Sequence, residues 1–167
     1  MKQVLVQNID SSFDALEELV ASFTDEQLNS IPFENSWTAG QVADHIIKAL
    51  SGAAKTLHGK TEPISREAGE KIKAINDVFL DFTSKMKSPD FILPGNGPFK
   101  KAELLTANEK IRNEILETSN LDLSLLCLDF ELPGFGKFTR LEWLHFFLAH
   151  TQRHTNQIKN IYHTLNK

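Results

Sequence analysis

The stretch Thr139-Arg140-Leu141-Glu142-Trp143-Leu144-His145-Phe146-Phe147-Leu148-Ala149-His150-Thr151-Gln152-Arg153-His154-Thr155-Asn156-Gln157-Ile158 decides how this chain is read. Successive residues of an α-helix turn by about 100°, so His150 and His154 lie about 40° apart on one face. Two imidazoles at that spacing can reach a single metal ion, as they do in HExxH zinc helices. Thr151 stands where that motif carries glutamate, so this helix brings no general base of its own. A third ligand has to come from elsewhere, and His45 is the best candidate. His145 sits about 140° round the helix from His150, and His163 about 180° from His154. His58 is about 140° round from His45 on an unbroken helix. These three read as surface or packing residues. The spacing leaves the alternative open that His45, His150 and His154 are themselves ordinary surface or satisfied core residues.

Working outward, Thr139 and Glu142 form a capping box that launches this helix and carries it to about Leu165. Pro133-Gly134-Phe135-Gly136-Lys137 breaks the chain before it. A second capping box, Thr38-Ala39-Gly40-Gln41, starts a helix to about Leu57 that ends near Gly59. Val42, Ile46, Ala49, Leu50 and Ala53 give that helix its apolar stripe, and His45 lies beside it. Gln41 and Gln157 stand within a turn of His45 and His154, where either could orient an imidazole, though capping is the simpler role for Gln41. Trp143 shares the His150 stripe, where it could wall a pocket. Arg153 reads as a solvated or ion-paired residue, or as a holder for an anionic group.

Two further long helices complete the set. Val4 to Phe23 carries an apolar stripe of Val4, Ile9, Phe13, Leu16, Leu19, Val20 and Phe23, and Thr24 to Leu28 reads as a capped turn. Phe99 to about Ser119 turns Leu104, Ala107, Ile111, Ile115 and Leu116 inward. Arg66 to about Lys87 has helical propensity, Ser88 to Pro98 is a proline- and glycine-rich loop, and Leu121 to Leu132 mixes a short helix with an extended piece. Four long helices with one long crossover between the second and third predict an all-α four-helix bundle, one domain over residues 1–167. His45 stands ~10 Å from the start of its helix and His154 ~16 Å from the end of the last one. Antiparallel packing of those helices brings the three imidazoles to one level.

Composition narrows the functional classes. With 18 Lys and Arg against 22 Asp and Glu, the chain carries a net charge of -4 and lacks the basic face that nucleic acid requires. The one cysteine, Cys127, excludes an internal disulfide and sits in an apolar run, where it reads as a buried small hydrophobe. No N-terminal signal region and no apolar run of the ~18 residues needed to cross a bilayer is present. The expectation is a cytoplasmic protein with neither a nucleic-acid nor a membrane partner.

Trp37 ahead of a capped helix bearing His45 forms one island of resemblance. Phe135-Gly136, Thr139, Glu142-Trp143, His150, Arg153-His154 and Gln157-Ile158 form another. Together they resemble the DinB-like superfamily, which is unrelated to the DNA polymerase sharing its name. The resemblance implies a four-helix bundle in up-down-down-up order, often homodimeric. It also implies a divalent metal, zinc or nickel, held by the helix-two histidine and the HxxxH pair, here His45, His150 and His154. Similar proteins include thiol-dependent S-transferases using low-molecular-weight thiols, isomerases and hydrolases. Three neutral imidazoles with one open coordination position suit activation of a thiol or of water. A stress-associated binding module with a structural metal is the non-catalytic alternative.

Overall fold

The computed structural model describes residues 2–167. Its elements are helices α1 (Lys2–Ala21), α2 (Asp25–Asn29), α3 (Ala39–Leu50) and α4 (Ala53–His58), strand β1 (Thr61–Glu62), helices α5 (Ile72–Phe79) and α6 (Lys101–Thr118), strand β2 (Leu126–Cys127) and helix α7 (Arg140–Leu165). The chain is thus mostly helical, with one two-stranded antiparallel ribbon in which Thr61 faces Cys127. No helix among the described residues is long and apolar enough to cross a membrane.

Capping explains where the helices begin. Thr24, Thr38 and Thr139 each accept the amide of the residue three positions on, and that residue's side chain returns the bond to the threonine amide. Each box satisfies two of the amides that a helix start leaves without partners. Leu5, Ile9, Phe13, Leu16 and Val20 form the buried apolar stripe of α1, and Phe23 just beyond it is buried as well. Val4, expected in that stripe, is 56 % exposed, and Leu5 takes its place. α1 packs against α6 and α7, α3 against the same two helices, and α5 lies on α7. Each fully buried leucine, isoleucine or phenylalanine of this core contributes about 1.5–3 kcal/mol.

Three segments depart from expectation. The second helix does not run unbroken to Leu57: α3 stops at Leu50, and α4 restarts after Gly52. Glycine loses more freedom in a helix than any other residue, so the Ser51-Gly52 pair is where the helix is interrupted. The helical propensity of Arg66 to Lys87 is realised only over Ile72–Phe79. Asp81 ends its run by accepting both the amide and the hydroxyl of Thr83. Leu121 to Leu132 forms no helix; it holds β2 and caps α7 from outside, where the carbonyls of Leu125 and Leu123 take the amides of Arg140 and Leu141.

Candidate metal centre

The site is assembled from α3 and α7. His150 and His154 project from the same face of α7, and His45 reaches them from α3. Ring centroids lie 4.5 Å apart for His150 and His154, 4.6 Å for His45 and His154, and 5.2 Å for His45 and His150. Each ring offers one nitrogen such that the three lie within 4.8 Å of one another. Residue exposure is 2 % for His45, 4 % for His150 and 9 % for His154. His58, His145 and His163 stay outside the group, as do all carboxylates and Cys127 among the described residues.

Burial is what sets their protonation. It pushes the His154 imidazole down to about 3, with the nearby His45 adding to the effect. It holds His150 well below its ordinary value too, helped by repulsion from His154, His45 and Arg153. Burial lowers His45 as well, opposed by its bond to Ile92 and by the charge of Asp44. All three rings are therefore neutral near pH 7, the form in which imidazole ligates a cation.

Two of the rings are oriented by what they donate to. His45 Nδ1 donates to the Ile92 carbonyl at 2.9 Å. His154 Nδ1 donates to Gln157 Oε1 at 2.8 Å. A proton committed to Nδ1 leaves Nε2 as a bare lone pair, which is how ligating histidines are set up. His150 Nδ1 is buried with no partner. An unpaired buried nitrogen is costly, and three imidazole nitrogens converging in a buried place fit a cation. Aromatic rings shield the group: Trp37 lies 5.2 Å from His45, and Phe146 and Phe79 lie 5.5 and 6.3 Å from His150.

The structure keeps some of the simpler roles expected and changes others. Gln41 keeps its capping bond to Thr38 and spends its amide on the Gly95 carbonyl, so it does not touch His45. Trp143 packs on Phe138, Phe146 and Phe147, as a core residue does, and Phe146 is the ring of α7 that lies against His150. Arg153 neither pairs with an acid nor awaits an anion; its guanidinium donates to the carbonyls of Phe79, Asp81 and Ser84. Cys127 is buried, and burial pushes its thiol up to about 11, so it is inert as a nucleophile.

Glu142 carries more than the cap assigned to it. Fully buried, it accepts both nitrogens of the Arg66 fork at 2.6 and 2.8 Å, together with the amides of Lys71 and Thr139. Lys71 in turn donates to the carbonyls of Phe135 and Lys137. These bonds tie residues 66–71 to the start of α7. No local sequence signal announces them, because the partners are more than sixty positions apart.

Residues 8–158 match the family model of the DinB superfamily. The chain is also 29 % identical over 144 residues to the uncharacterized protein YuaE of Bacillus subtilis (strain 168), covering 83 % of this chain and 85 % of that one. No solved structure matches it significantly. With the two resemblance islands and the histidine group all inside the matched span, the chain belongs to the DinB superfamily.

Proposed function

We propose that this protein is a divalent-metal-dependent enzyme, with zinc or nickel held by His45, His150 and His154, acting as a thiol-dependent S-transferase. One observation carries the reading: the buried group supplies three imidazoles and, among the described residues, no fourth ligand. Structural sites are closed by four protein ligands, whereas catalytic sites keep one position open. A cation held there supplies Lewis acidity toward a thiol or water at the open position.

The chain's own residues have definite parts. The Ile92 carbonyl and Gln157 fix the rings of His45 and His154, while Trp37, Phe79 and Phe146 exclude water around the group. In the proposed reaction the sulfur of a low-molecular-weight thiol forms a bond to an electrophilic carbon. The leaving group departs with the bonding pair, and the thiol proton passes to solvent. Among the described residues no carboxylate joins the group to serve as a general base, which slightly weakens the alternative, metal-assisted hydrolysis, although metal hydroxide needs less help. The architecture proposed with it is the up-down-down-up four-helix bundle of α1, α3, α6 and α7, supported by the packing of α1 and α3 on both α6 and α7. A homodimer belongs to the same proposal, and exposed Phe82, Met86 and Phe91 give it apolar surface to cover.

The test is metal analysis of protein purified without a histidine tag, followed by a screen of thiols with electrophilic acceptors. Stoichiometric metal is expected in the unaltered chain and its loss in His45→Ala, His150→Ala and His154→Ala. Transfer activity is expected to vanish with chelator. Unchanged metal content in all three variants sinks the site, and failure of every thiol to react sinks the transferase assignment.

A further inference from the structure

We infer that residues 92–95 form a strap that fixes the His45 imidazole, and that Asp44 and Lys48 are the positioning residues holding the strap. The inference rests on the metal-centre reading and extends it to residues that touch neither metal nor substrate.

Gln41, Asp44, His45 and Lys48 share one face of α3, since residues three and four apart are helix neighbours. Each of them meets the strap. Gln41 Nε2 donates to the Gly95 carbonyl at 3.2 Å, and Asp44 Oδ2 accepts the Gly95 amide at 2.8 Å. His45 Nδ1 donates to the Ile92 carbonyl and Lys48 Nζ to the Leu93 carbonyl, both at 2.9 Å. Asp44 and Lys48 also pair with each other at 3.0 Å, so the two ends of the strap are anchored through one ion pair. The 3-10 turn Asp90–Ile92 leads into it and sets the direction of the Ile92 carbonyl.

The consequence is geometric. A ligating histidine whose far nitrogen donates to a fixed acceptor is held in one tautomer and one ring rotation. The Ile92 carbonyl is set by the turn before it and held in place by the backbone groups just after it, which are tied to α3. The Asp44 and Lys48 side chains are 20 % and 38 % exposed, and a partly solvated pair of this kind adds little to global stability. Removing it should therefore leave a folded protein with a poorly set ligand.

The experiment measures two things: zinc affinity, by competition with a chromophoric chelator, and the His45 tautomer, by nitrogen-15 NMR of metal-free protein. Asp44→Ala is expected to weaken zinc binding ~10–100-fold, the usual cost of losing an outer-shell partner, with a thermal midpoint close to that of the unaltered chain. The same variant should mix the two His45 tautomers, where the unaltered protein shows the Nδ1–H form. Asp44→Asn retains an acceptor for the Gly95 amide and should recover most of the affinity. Lys48→Met should show a smaller loss in the same direction and serves should Asp44→Ala fail to fold. Zinc affinity within about twofold of the unaltered chain, with His45 still purely Nδ1–H, overturns the strap. If the unaltered protein binds neither zinc nor nickel, the metal-centre reading fails, and the tautomer measurement still decides the strap by itself.

Discussion

Helix α7 and the chain from Gly59 to Pro98 both serve the candidate site, yet they are built by opposite means. α7 is a single run of 26 residues, opened by its own capping box and bonded along its own axis. The other stretch holds an eight-residue helix, a three-residue 3-10 turn and a two-residue strand. Much of its backbone is claimed by side chains from outside it: Glu142 takes the Lys71 amide, and Thr139 donates to the Ala68 carbonyl. Arg153 gathers the carbonyls around Asp81, and α3 holds residues 92–95. A regular scaffold written by local rules thus provides anchors for an irregular segment, and the irregular segment returns the acceptor that orients His45. The buried backbone of a loop has to find partners, and here the long helices supply them.

Cutting the deepest anchor breaks the comparison most sharply. Glu142→Ala strands the Arg66 guanidinium and two amides, and is expected to cost about 3–5 kcal/mol in urea unfolding. Acid tests the same bond. Burial alone would raise the Glu142 carboxyl, but the Arg66 guanidinium and the amides of Thr139 and Lys71 outweigh it and hold it below the usual glutamate range. A group depressed in the fold gives stability that is complete above its unfolded pKa, about 4.3 for Glu, and lost as pH falls through the folded one. The buried histidines act in the same direction but begin higher, below their unfolded value of about 6.5. Metal-free protein should therefore lose stability in two stages as pH drops. Glu142→Gln should flatten the lower stage and keep the upper; loss of neither stage would refute the assignment.

A smaller effect is expected at the other anchor. Arg153→Ala removes charge-assisted bonds to the loop after α5 and should cost about 1–2 kcal/mol, less than full burial would give. Amide exchange should quicken over residues 80–86 while the middle of α7 stays protected. Arg153→Lys should recover little, because a single ammonium cannot span the carbonyls that the guanidinium fork reaches. Uniform exchange rates in both regions would erase the distinction drawn here. Smallest of all, Lys73→Ala breaks an exposed pair with Asp77 and should shift stability by less than about 0.5 kcal/mol, which calibrates what an unanchored surface contact is worth.

Reading the sequence located the capping boxes at Thr38 and Thr139, most of the apolar stripes and the i,i+4 histidine pair, because each is a relation between residues a turn or two apart. Gln157 was legible as a partner of His154 for the same reason. The acceptor for His45 was not, since Ile92 contributes a carbonyl, which every residue possesses, and the side chain advertises nothing. Arg66 and Glu142 are equally silent: opposite charges 76 positions apart have no spacing to read. Arg153 was misjudged because a guanidinium that binds backbone looks, in sequence, like one that binds solvent or an anion.

By itself the sequence determined where helices start, which faces turn inward, and that two imidazoles share a face of α7, since these follow from a fixed 3.6-residue turn and from local hydrogen-bond accounting. Only the tertiary structure decided that His45 meets them, that the helical propensity of residues 66–87 is realised only over Ile72–Phe79, and that carbonyls of this stretch become parts of the site. Those outcomes depend on which distant groups come within reach once the core has closed, and no local period encodes that distance.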